Sequence, residues 1–140
     1  MPTWLLYALL ATFFAGLTSV LAKFGIQNIS ADLGVAIRTA VVLVVVAINV
    51  FLWQGHKDIS ALSFKPVLFL VLSGITTALS WIFYYRAMKL GTVSYVAAID
   101  KGSIVITILL SVILLSEPLS PKLAIGAALI LAGMIVLIWK

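Results

Sequence analysis

Apolar residues run through this chain in long blocks separated by short polar stretches. Thr3 to Ala22 holds no charged residue, and neither does Pro66 to Tyr85. Thr39 to Gly55 is also uncharged, and it reaches back to about Gly34 once Arg38 is admitted. Leu123 to Trp139 forms a further block. A helix crosses the hydrocarbon core of a bilayer in about 20 residues, so each block predicts a transmembrane helix. The segment between Gly91 and Glu117 is different, because Asp100 and Lys101 interrupt it. Gly102 to Ser116 alone would be about 22 Å of helix, too short to span. The helix must start near Ser94, which places the charged pair about two turns inside it. The predicted spans are 3–22, 34–54, 66–88, 94–116 and 121–139, in a single all-α integral membrane domain over residues 1–140.

The linkers agree with this division. "QGHKDISALSFKP" separates the second and third spans, "KLGTVS" the third and fourth, and "SEPLSPK" the fourth and fifth. Gly91 is a helix stop, and the two prolines of the last linker are helix breakers. No basic residue precedes the first block, and its length suits a spanning helix rather than a cleaved leader. Trp4, Tyr7 and Trp53 fall near one membrane face, and Tyr84, Tyr85, Tyr95 and Trp139 near the other, as interfacial aromatic belts would.

Several spans also carry polar or small residues at helical spacing, three and four apart, which places them on one face. Asp100, Ser103, Thr107 and Ser111 form such a line on the fourth span. Thr12, Gly16, Ser19 and Lys23 form one on the first. Ser73, Thr76, Thr77, Ser80 and Tyr84 cluster on the third, and Arg38 shares a face with Asn49 on the second. Each stripe alone is accounted for by helix packing, since small and hydroxyl residues let backbones approach. Four together, one with a carboxylate, point to a polar path. The fifth span has only small residues, with Ala124, Ala128 and Ala132 every fourth position.

Composition strengthens the membrane reading. Hydrophobic residues make up 64% of the 140 and charged residues 9%, against roughly a quarter charged in soluble domains. So short a soluble domain could not bury that much apolar surface. The formal charge of +5 comes from single basic residues between apolar runs. That pattern marks membrane topology and excludes a nucleic-acid partner. Lys57, Lys65 and Lys122 fall on the N-terminal side; Lys23, Arg38, Arg86, Lys89 and Lys140 fall on the other, which favours a C-terminus inside. There is no cysteine, and the single histidine, His56, lies in a linker. Thiolate and His-based metal sites are therefore not expected, and no catalytic constellation appears, so the chain is not read as an enzyme.

Asp100 and Lys101 are the sharpest chemical signal. Adjacent helical residues point about 100° apart, so the two are expected to seek other partners. Arg38 lies at similar depth, and an Arg38–Asp100 interaction is expected, with Lys101 snorkelling or facing a cavity. Ionisable groups within a membrane are costly and mark substrate or proton paths by default. The structural alternative is an ion pair that fixes helix register. The candidate substrate-path residues are Asp100, Lys101, Arg38, Ser103, Thr107, Thr77, Ser80 and Trp81. Glu117 is an interfacial or capping residue, and Trp81 and Tyr85, one turn apart, are either pocket walls or belt anchors.

Taken together, "RAMKLG", "SEPLS" and "GAALILAGMIVL", preceded by "LAKFG" and "AIRTAVVL", resemble an EamA domain of the drug/metabolite transporter superfamily over essentially the whole chain. One departure is Ala98-Ile99, where the family pattern often has Pro-Ile. The resemblance implies a secondary transporter, an exporter or exchanger of small polar metabolites, without a bound cofactor, in a bacterial inner (plasma) membrane. Larger relatives carry two five-helix domains in tandem as inverted repeats. The expectation is half of a ten-helix transporter, completed as a homodimer, inverted or parallel, that works by alternating access. Proton coupling through Asp100 is an added expectation. The alternatives are an accessory or structural membrane subunit, or a flippase for lipid-linked substrates.

Overall fold

In the computed structural model, residues 2–53 and 62–139 are described. His56, Lys57 and Lys140, read above as linker and topology residues, lie outside them. Helix α1 (Thr3–Gly25) begins directly after Pro2 and ends at Gly25. Helix α2 (Ala31–Leu52) is capped by Ser30, whose hydroxyl accepts the Leu33 N–H at 3.2 Å. Asp32 sits in its first turn, where a negative charge suits the helix dipole. Helix α3 (Phe64–Leu90) ends just before Gly91. Helix α6 (Pro121–Ile138) repeats the device of α2: the Ser120 hydroxyl accepts the Leu123 N–H at 3.2 Å, and Pro121 occupies the first turn.

The span with the charged pair is two helices rather than one. Helix α4 (Val93–Asp100) is followed by α5 (Ser103–Leu115), with Lys101 and Gly102 as a turn between them. The Lys101 and Gly102 N–H groups bond to carbonyls three residues back, those of Ala98 and Ile99. Ile104 and Val105 do the same to Lys101 and Gly102. The junction is thus a tight 3₁₀ segment within a continuous helical path. A Cβ added at Gly102 would lie 2.8 Å from the Met134 sulfur of α6 and 3.0 Å from the Ile99 carbonyl oxygen. Glycine lets α6 approach the junction. After α5, Ser116 adopts a left-handed conformation (φ 55°), and the Glu117 N–H bonds back to the Ser111 carbonyl. Glu117 thereby closes the helix, in the capping role expected of it.

Five segments are long and apolar enough to cross a membrane, counting Val93–Leu115 as one, and the architecture is all-helical among the described residues. The chain divides into two compact units, Met1–Leu90 and Gly91–Lys140. In the first, α3 packs on α2 and α1; in the second, α6 packs on α4 and α5. Among the described residues, only Ile26, Val35, Tyr85 and Met88 are buried hydrophobics, and all four belong to the first unit. Large apolar side chains such as Phe69, Leu70, Ile113 and Leu129 are each more than 60% exposed. With lipid as the solvent there is no gain in hiding them, so a small core suffices.

Candidate functional site

The first unit concentrates its polar chemistry at one end, where α1 and α3 finish and α2 begins. Lys89, in the last turn of α3, donates to the carbonyls of Ile26, Gln27 (2.7 Å) and Ile29 (3.0 Å), beyond the end of α1. Lys23, in the last turn of α1, donates in return to the Met88 carbonyl of α3. Each helix thus supplies the cation that its neighbour's C-terminal carbonyls need. Arg86 forms a two-pronged pair with Asp32, Nε to Oδ1 at 2.9 Å and Nη2 to Oδ2 at 3.1 Å. Between them Met88 is fully buried. The "RAMKLG" stretch therefore has separable jobs: Arg86 ties α3 to α2, Met88 fills the core, and Lys89 caps α1.

Close helix approach at this end depends on Gly34. A Cβ there would fall 2.5 Å from Ile26 Cγ2 and 3.5 Å from the Tyr85 ring. Tyr85 is only 3% exposed, and Tyr84 shares a hydrogen bond of 2.8 Å with Ser19 of α1. Both face neighbouring helices, and Tyr85 lines a cleft, in keeping with a pocket wall, one of the two roles expected of it. The Ser19–Tyr84 bond joins the polar stripes of the first and third spans.

Arg38 lies about 10 Å along α2 from its start. Its guanidinium sits over the Trp81 ring, 3.9 Å from the centroid, and 5.9 Å from the Tyr85 centroid. Asp32, the described carboxylate of this unit, is engaged with Arg86. An arginine in a span costs roughly 2.5–3.5 kcal/mol on insertion scales. A desolvated cation–π contact returns about 2 kcal/mol or more, so the ring offsets much of that cost. Two clefts flank this residue. One, of about 330 Å³, is lined by α1 residues including Leu21, by Ile26 just past its end, and by Gly34, Ile37, Arg38 and Tyr85. The other, of about 360 Å³ between α2 and α3, is lined by residues including Thr39, Ser73, Thr77 and Trp81. Ser80 is exposed and lines neither.

In the second unit Asp100 and Lys101 form an ion pair, Nζ to Oδ2 at 3.5 Å. This differs from the expectation that neighbours on a helix would not pair. The flexible lysine stem lets its tip reach back although the Cβ atoms diverge. The pair is loose, at 3.5 Å, with side chains 39% exposed for Asp100 and 55% for Lys101, and within a bilayer its attraction is set against the cost of desolvating both charges. Ser103 accepts the Thr107 hydroxyl at its backbone carbonyl, 3.0 Å away. The Thr77 hydroxyl likewise donates to the Ser73 carbonyl at 2.8 Å, and those of Thr12 and Thr39 donate to the Ala8 and Val35 carbonyls. These hydroxyls are satisfied within their own helices. Among the described residues no cluster of His, Cys, Asp and Glu could hold a metal ion.

Sequence reasoning missed the Asp32–Arg86 pair and the reciprocal lysines. A signal for the second was present: Lys23 and Lys89 each fall in the last turn of a helix, and the two helices end on the same side. The sequence pattern of the EamA-like transporter family matches residues 2–139. A Sinorhizobium protein named "Uncharacterized transporter in cobO 3'region" is 41% identical over 138 residues, which cover 96% of each chain. No solved structure matches.

Proposed function

Because the chain belongs to the EamA-like transporter family, we propose that it is a secondary transporter, an exporter or exchanger of small polar metabolites. Its relationships and its spans make it an integral membrane protein with a transporter role rather than an enzyme's. The observation that carries the finer reading is the interrupted span. A helix that passes from α to 3₁₀ geometry at an Asp-Lys pair, within an otherwise apolar crossing, has the form of transporter helices whose broken segments handle substrate or coupling ions. In the second unit Asp100, Lys101, Ser103 and Thr107 serve the substrate path. In the first, Arg38, Thr77, Ser80 and Trp81 do so. Two chains assemble as a homodimer in a bacterial inner membrane and rock between inward- and outward-open forms, with Asp100 as the proton-coupling group.

Flux in proteoliposomes across a pH series tests this reading, after a metabolite screen for thermal stabilisation has named a substrate. Asp100→Asn is expected to remove the pH dependence while the protein stays folded. Unchanged pH-dependent flux in the variant removes Asp100 from coupling. A second reading, an accessory membrane subunit, is favoured by the hydroxyls of Thr77 and Thr107, which are already satisfied within their helices. No stabilisation by any metabolite supports it.

A further inference from the structure

The cleft beside Arg38 carries a statement about cargo, resting on the transport reading above. We propose that this cleft, between α1, α2 and α3, binds a compact organic carboxylate with an apolar body, the carboxylate meeting the Arg38 guanidinium. Four observations support this. The cleft holds about 330 Å³, within the range of small-molecule sites. Leu21, Ile26, Ile29 and Ile37 give it apolar walls, and Arg38 is the charged residue among its lining groups. Trp81 occupies a face of the guanidinium. Stacking of that kind holds the group in place; one N–H is turned to the Tyr85 hydroxyl, and the others remain for a carboxylate, which the guanidinium fork matches in shape. Finally, Asp32, the described carboxylate of this unit, is committed to Arg86, so it does not supply the anion.

The position of Arg38 selects the source of the anion. It lies about 10 Å inside the start of α2, deeper than a phospholipid headgroup resides. Lys23 and Lys89 line the adjoining pocket that shares Ile26 with this cleft, and their positive charge attracts anions to this end of the unit. The volume suits a branched or aromatic body rather than a long acyl chain.

The test uses the purified full chain with three ligands of matched shape: phenylacetate, phenylacetamide and phenethylamine. Wild type is expected to bind phenylacetate at least tenfold more tightly than the amide and not to bind the amine. Arg38→Gln is expected to lose that preference, and Arg38→Lys, which keeps charge but not the fork, to retain part of it. Equal binding of acid and amide by wild type, or tighter binding of the amine, overturns the proposal, and neither comparison requires a variant to fold. Phosphatidylglycerol that co-purifies with the protein and is not displaced by phenylacetate also overturns it, by placing a lipid there instead. Flux of phenylacetate into liposomes separates the two readings. Arg38-dependent binding without flux keeps the cleft assignment and removes transport; flux indifferent to Arg38 keeps transport and removes the cleft assignment.

Discussion

The two units of this chain handle polarity in opposite ways. In Met1–Leu90 the polar side chains reach across helices: Lys23 and Lys89 to each other's helix ends, Arg86 to Asp32, Tyr84 to Ser19. All four buried hydrophobic side chains are there too. In Gly91–Lys140 the described polar bonds stay local. Asp100 pairs with its neighbour, Thr107 with its own helix, and Ser120 with its own N-terminus. A cross-helix bond in lipid fixes one helix against another; a local bond fixes nothing but itself. The cross-helix bonds tie the helices of the first unit together, whereas the described polar groups of the second bond within their own segments.

Four substitutions sharpen or break this contrast, with stability read as the denaturation midpoint in mild detergent. The largest loss is expected for Gly34→Ala. Its new methyl group would collide with Ile26, which is 2% exposed and has little room to move, and overpacking of that kind costs about 1–3 kcal/mol. Lys89→Met comes next. It strips the carbonyls of Ile26, Gln27 and Ile29 of their cation, for a loss of about 1.5 kcal/mol, the low end for charged hydrogen bonds, because Lys89 is exposed. Tyr84→Phe removes the bond to Ser19, and interhelical bonds within membranes average about 0.6 kcal/mol. The smallest effect belongs to the second unit: Asp100→Asn loses a loose pair but also removes a carboxylate that is costly within a bilayer, so the two terms offset and the net shift is expected to be below those of the other three. A large loss of stability in Asp100→Asn, with little in Lys89→Met, would reverse the contrast between cross-helix and local bonding.

The five crossings were legible because apolar blocks and polar linkers alternate at the length a bilayer demands. The caps Ser30 and Ser120 were not read from the sequence, although each lies just ahead of a helix in a position that favours serine. What distance along the chain concealed was facing. Asp32 and Arg86 are 54 residues apart, and nothing local in "SADLG" or "YYRAM" announces the pair. Tyr84 and Tyr85 sit near a helix end, where the interface attracts aromatics, and only packing shows that they turn inward. The basic residues Lys23 and Lys89 were read for topology, and they also bond to carbonyls. The 3₁₀ junction was hidden by continuity: Lys101-Gly102 contains no proline, and the apolar run resumes at once. The resemblance reached the family because it depends on order and spacing, which survive without knowledge of contacts.

The crossed lysines also set how the first unit can deform. Because α1 holds the tip of α3 and α3 holds the tip of α1, neither can slide lengthwise alone without releasing a charged group from its oxygens. That end behaves as a knotted corner. Any tilting of these helices must fan out from it, with amplitude growing toward the start of α1 and α3, where the exposed Trp4 and Phe64 meet lipid.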